Sequence, residues 1–198
     1  MSTKGEPARR RRTKADWTSA ALTALAEGGL AAVAIEPLAT RVGATKGSAY
    51  WHFANREALL VATLERWAVE HTETVISFAE QEPDPERRLR KLFASVLNQT
   101  ENDAVELALL AAGDDPVIRP ILDRVTDRRI AYLATLFGQC GFPAGEARRR
   151  AVLAYSAYLG HAHLFRMAPA AMPRSRPQLR AHLDEAVAAL LGGRELVG

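Results

Sequence analysis

The chain has 198 residues, 48% of them hydrophobic and 25% charged, with a net charge of +3; this composition excludes wholesale disorder and suffices for one domain or two small ones. There is no apolar run long enough to span a bilayer, and the basic N-terminus leads into no apolar segment, so neither a membrane span nor a secretory signal is expected and the cytoplasm is the expected compartment. The single cysteine, Cys140, excludes an intrachain disulfide and a cysteine-cluster metal site, and on an apolar helix it reads as core filler.

The charge is uneven along the chain. Residues 1–56 carry nine basic groups against four acidic ones, so the basic surplus lies at the N-terminal end. The run from Arg9 to Arg12, followed by Lys14, predicts a flexible arm over residues 1–14, because like charges without an apolar partner repel one another. Arg11 and Arg12 are candidates for a phosphate clamp or a minor-groove probe, and the plainer alternative is a solvated tail. Residues 33–60 then read as two short helices, a tight turn and a third, long helix, which is the outline of a helix-turn-helix reader. The first of these helices is predicted over residues 35–42, with Leu38, Ala39 and Val42 on one apolar side. Gly43 suits a left-handed helix end, and Thr45 offers a side-chain oxygen to cap the helix that follows. That next helix, residues 46–53, is short and polar. Gly47 and Ser48 leave its backbone open to close approach by a phosphate or base edge, while Lys46, Tyr50, Trp51 and His52 supply charge, hydrogen bonds and aromatic surface.

The run from Gly43 to Phe53, followed by Asn55-Arg56-Glu57-Ala58-Leu59-Leu60, resembles the DNA-binding signature of the tetracycline-repressor (TetR) family of transcriptional regulators. Residues 17–29 resemble that family's first helix, ending in a glycine that turns the chain. The resemblance covers roughly residues 10–65. It implies a three-helix DNA-binding domain over residues 15–56 and a helical effector-binding and dimerisation domain over residues 57–198. It also implies double-stranded operator DNA and a small-molecule effector as partners, and a homodimer that represses transcription at a palindromic site. The expected DNA contacts are Arg11, Arg12, Thr45, Lys46, Gly47, Ser48, Tyr50, Trp51, His52 and Arg56. Val33 and Ala34 stand where the family commonly has Thr or Ser, so Pro37 is expected to define the first turn of the second helix. Ala49 replaces a larger apolar residue that usually anchors the reading helix.

Beyond the reader the pattern is helical throughout, giving an all-α chain of about nine helices. Asn55 and Glu57 open a long fourth helix whose apolar stripe runs from Leu59 to Phe78 without a break, until Pro83 and Pro85 end it. Further helices are expected over about 86–100, 103–112, 117–139, 144–167 and 176–191, with Pro120 forcing a kink or a late start. In the effector half the candidate pocket residues are Trp67, His71, Phe93, Asn98, Tyr132, Phe137, Tyr155 and Tyr158, with Phe165 a further aromatic; each is also a plausible core residue. Close-packing small residues on the last two helices suggest an intersubunit four-helix bundle through Val152, Tyr155, Leu159, His163, Leu179, Leu183, Val187 and Leu190. His161 and His163 are two residues apart and face different ways, so no metal is expected there, and no cofactor is implied. Nucleophile, phosphate-loop and metalloprotease signatures are absent from the sequence, which argues against an enzyme. The other class weighed is a non-catalytic helical interaction protein whose basic arm binds acidic surfaces. The polar helix 46–53, which has no broad apolar face for lipid, disfavours it.

Overall fold

The computed structural model describes residues 12–97 and 103–192, and among these the chain is all-α. It divides into two compact units, residues 1–63 and residues 64–198. The division falls after Thr63, inside a helix, against an expected boundary after residue 56.

In the first unit, α1 (Lys14–Ala32) starts at a capping box. The Thr13 hydroxyl accepts from the Asp16 N–H at 3.2 Å, and the Asp16 carboxylate accepts from the Thr13 N–H at 2.8 Å. Gly29 adopts φ 66° and turns the chain near the end of α1, where a residue with a Cβ would be strained. Helix α2 (Ile35–Val42) has no side-chain cap at Ala34, and Pro37 lies in its first turn, where the missing N–H leaves no bond unmade. Its Ile35, Leu38, Ala39 and Val42 are buried, and Gly43 closes it at φ 65°. Helix α3 (Lys46–His52) is capped by Thr45, whose hydroxyl accepts from the Ser48 N–H at 3.3 Å. Together with Trp17, Ala21 and Leu25 of α1, these helices build the small core under the reader.

Helix α4 (Arg56–Ala68) begins at Asn55, whose side-chain carbonyl accepts from the Ala58 N–H at 2.8 Å. It continues through a π-helical stretch, Val69–Glu73, into α5 (Thr74–Glu80). The stripe expected to run unbroken from Leu59 to Phe78 is therefore interrupted. One extra residue in the π turn shifts the apolar face, leaving Val69 and Phe78 exposed while Trp67, Val75 and Ile76 are buried. The second unit continues with α6 (Pro85–Leu97), α7 (Asp103–Ala111), α8 (Arg119–Gln139), α9 (Ala144–Met167) and α10 (Arg176–Leu191). With α4 and α5 taken as one rod, the described residues form nine helices, plus a 3₁₀ turn at Pro169–Ala171. Pro120 falls in the first turn of α8, so the late start is the outcome and no kink is needed. Helices α8 and α9 pack along their length because α9 turns Ala147, Ala151 and Ala154 inward. Leu89, Leu136, Phe137 and Val187 complete this second core, and Cys140 is buried in it.

Candidate functional site

The reading helix presents its polar residues to solvent while its support is sealed. Thr45, Lys46, Gly47, Tyr50 and Trp51 are exposed, Trp51 at 67%, whereas Ala49 is fully buried between them. Trp51 meets the His52 ring edge-on at a centroid distance of 5.0 Å. His52 Nε2 lies 2.8 Å from the Arg12 carbonyl oxygen, which fixes the end of the basic arm beside α3. Arg11 lies outside the described residues.

Besides His52, two more of the expected DNA contacts are engaged within the protein. The Lys46 ammonium pairs with Glu36 of α2, which holds the Glu36 carboxyl below its ordinary range and raises Lys46. The Arg56 guanidinium donates to the carbonyls of Val33 at 2.6 Å and Leu30 at 2.7 Å, pinning the α1–α2 connection onto α4. Arg56 is a positioning residue in this unit, a role that its exposed place in the sequence did not reveal. Arg41 pairs with Glu27 in the same way, tying α2 to α1.

The second unit contains a cavity of about 70 Å³ against the π stretch, lined mostly by apolar atoms. Of the expected pocket residues, His71, Phe93, Tyr132, Tyr155 and Tyr158 line it. Trp67 does not; it is buried beneath, stacked on His71 at 6.3 Å between ring centroids. Phe137 is fully buried core, with Phe142 against its edge, because α8 turns it away from the cavity. Asn98 lies outside the described residues.

The sequence reading missed a buried ion pair whose arginine, Arg129, lines the cavity. Glu106 of α7 is 2% exposed, and Arg129 of α8 donates to both its oxygens, at 2.6 and 2.8 Å. Arg129 also donates to the Thr72 hydroxyl at 2.9 Å and to the His71 carbonyl at 3.2 Å, while Tyr155 and Tyr158 donate to Glu106 at 3.2 and 3.1 Å. Burial opposes the Arg129 charge, but Glu106 more than compensates and keeps it protonated. Burial and the nearby Arg129 lower His71, so it is neutral at pH 7; burial and Glu106 raise Tyr155. The available signal was Glu106 itself, the one charge in the apolar run from Ala104 to Ala111.

The expected dimer residues separate into two sets. Tyr155, Leu183, Val187 and Leu190 are buried in their own chain's core, because α10 turns its apolar edge onto α6 and α9; they are not surface residues, and the expectation is corrected there. Val152 and His163 are exposed, and Leu159 and Leu179 are half-buried. Along α9 the exposed stripe is Leu153, Ala157, Gly160, Leu164 and Met167, at alternating four- and three-residue steps. His161 is buried and stacks on His182 of α10 at 5.4 Å, while His163 faces out.

Among the described residues no helix is long and apolar enough to cross a membrane. Residues 18–63 match the family model described as bacterial regulatory proteins, tetR family. The HTH-type transcriptional regulator TtgR of Pseudomonas putida is 34% identical over 93 residues, covering 46% of this chain and 44% of that protein. The chain thus spans less than half the length of the curated relatives it matches. Solved structures share the fold over more of the chain. A transcriptional regulator from Rhodococcus sp. Rha1 superposes with a TM-score of 0.79 at 22% identity, over 94% of this chain and 100% of that one. SmeT, the repressor of the Stenotrophomonas maltophilia multidrug efflux pump SmeDEF, gives 0.68 at 20% identity over 90% of each. The capped, exposed reading helix and its sealed three-helix support lie within residues 18–63, the part of the chain that is similar to the tetR family of bacterial regulatory proteins.

Proposed function

We propose that this chain is a transcriptional repressor that binds a palindromic operator as a homodimer and releases it when a small molecule enters the second unit. The observation that carries the reading is α3: a short helix whose exposed side bears Thr45, Lys46, Gly47, Tyr50 and Trp51, with the Arg12 carbonyl held by His52. Such a helix has the donors, charge and open backbone to enter a major groove, while Arg12 and the arm add phosphate or minor-groove contacts. One reader offers few base contacts, and two-fold pairing doubles them. The exposed α9 stripe supports that pairing, and the cavity beside the π stretch supports an effector. TtgR and SmeT, a transcriptional regulator and a repressor, lend the reading further support.

Lys46, Tyr50 and His52 are assigned to phosphates, with Thr45, Ser48 and Trp51 facing base edges. The test is a gel-shift titration of the full chain with DNA flanking its own coding sequence, against random duplex of equal length. Preferential retardation of the flanking DNA is expected; equal retardation of both would refute a specific operator.

A further inference from the structure

Two cavities share one wall in the second unit, and Tyr132 of α8 lines both. The inner one, about 70 Å³, is the apolar cavity described above. The outer one, about 230 Å³, is polar and includes Glu80, Arg88, Arg128 and Gln139. Neither alone matches the roughly 300 Å³ at the lower end of small-molecule sites, but the two together do. An occupant of that size must therefore reach past Tyr132, with one end in apolar and the other in polar surroundings.

The Tyr132 hydroxyl is buried and has no hydrogen-bond partner, which is costly for such a group unless something fills the position. Burial raises its pKa, so it remains a donor, and the charges that act on it, Glu80, Arg88 and Arg128, all line the outer cavity. Arg128 is paired with Glu73 at 2.9 Å. Arg88 donates only to uncharged acceptors: the Glu82 carbonyl at 2.7 Å, the Pro83 carbonyl at 3.1 Å and the Gln139 side chain at 3.1 Å. No carboxylate among the described residues lies within ion-pair distance of it, and Glu80 is exposed, where water screens its charge. A half-buried guanidinium without a counter-ion thus lines the outer cavity, and the residue that carries the buried, unpartnered hydroxyl lines it too.

Resting on the effector reading above, we propose that the ligand is an amphipathic monocarboxylate: its apolar body fills the inner cavity and its carboxylate accepts from Tyr132 and Arg88 in the outer one. Tyr132 is the partition that yields and the donor that selects the head group.

The test uses three probes with one apolar body: 3-phenylpropionate, 3-phenyl-1-propanol and 3-phenylpropylamine, titrated calorimetrically into the full chain and into Tyr132→Phe and Arg88→Gln. The carboxylate is expected to bind at least about tenfold more tightly than the other two, as a charge-assisted hydrogen bond warrants. Tyr132→Phe should lose most of that preference without lowering the melting temperature of the ligand-free protein, since the hydroxyl it removes bonds to nothing. Arg88→Gln should abolish the preference for the anion. Equal or tighter binding of the alcohol or the amine, an unchanged preference in Tyr132→Phe, or no binding of any probe at millimolar concentration overturns the proposal. Wild-type protein that binds the carboxylate but prefers no DNA would sink the repressor reading and leave this site standing.

Discussion

Lys46 lies on the exposed side of α3 with its ammonium on Glu36, so in the DNA-free protein a carboxylate holds the position a phosphate would take. Binding must exchange one anion for the other, and Glu36 then faces the duplex as an added repulsion. Glu36→Gln is expected to tighten DNA binding severalfold at low salt and to steepen the salt dependence by up to about one counterion, measured by titration between 50 and 200 mM salt. A looser complex would mean that Glu36 orients Lys46 for the phosphate and does not compete with it. Gly47 is informative for a different reason. A Cβ there would meet only the Thr45 hydroxyl, at 3.9 Å, so nothing inside the fold calls for glycine. Gly47→Ala should raise stability by up to about 1 kcal/mol in thermal denaturation while weakening operator binding, because the added methyl projects from an exposed helix side. Arg56 belongs to the fold. Arg56→Ala removes the side-chain donor to two carbonyls of the α1–α2 connection, of which Leu30 keeps the Val33 N–H, and should cost about 1 to 3 kcal/mol of stability, lowering binding to all DNA sequences alike.

The π stretch between α4 and α5 lies beside the cavity and the Arg129–Glu106 pair. Its His71 carbonyl and Thr72 hydroxyl receive two of the Arg129 hydrogen bonds, so the irregular turn and the buried charge hold one another. Glu106→Ala would strand the guanidinium and is expected to cost about 3 to 5 kcal/mol, whereas replacing both partners by apolar residues of similar volume should cost far less; a double-mutant cycle by chemical denaturation checks this. Where α9 meets α10, burial and the adjacent His182 lower His161 from the ordinary imidazole value of 6.5. The unfolded chain then binds the proton more readily, so this contribution to stability is complete above pH 6.5 and is lost as pH falls below it. Melting temperatures should drop below pH 6.5 in the wild type and less so in His161→Phe. The elements themselves were legible: the ranges 144–167 and 176–191 follow from a helical pattern bounded by proline-containing breaks. The π stretch was not, because an inserted residue in a continuous helix leaves no composition signal. The ion pair was equally hidden, since Glu106 and Arg129 are joined only by tertiary packing. An apolar stripe also does not name its partner, which is why Leu183, Val187 and Leu190 read as interface and are core.

At the scale of the whole molecule, the proposed repressor depends on pairing, and the corrected surface separates pairing from folding. Leu153, Leu164 and Met167 are exposed at 60%, 47% and 68% in the single chain, so charging them removes little folded-state packing. Leu153→Asp with Leu164→Asp should leave the melting temperature of the monomer near that of the wild type yet yield a monomer in sedimentation at micromolar concentration. Val187→Asp should instead unfold the second unit. Pairing also fixes the DNA: half-sites centred roughly 34 to 36 Å apart, or a multiple of that spacing, on one face of the duplex. Effector control then follows from linkage. Helix α4 starts at Arg56, and its Trp67 packs on His71, which lines the cavity. A ligand shifts the DNA-binding equilibrium only by its differential affinity for the two conformers, and operator DNA must weaken ligand binding by the same factor, typically about 5- to 150-fold. Calorimetry of a bound probe with and without operator reads that factor directly. Equal affinities in the two titrations would show that occupancy of the cavity does not govern release of DNA, even if the probe binds tightly and the dimer is intact.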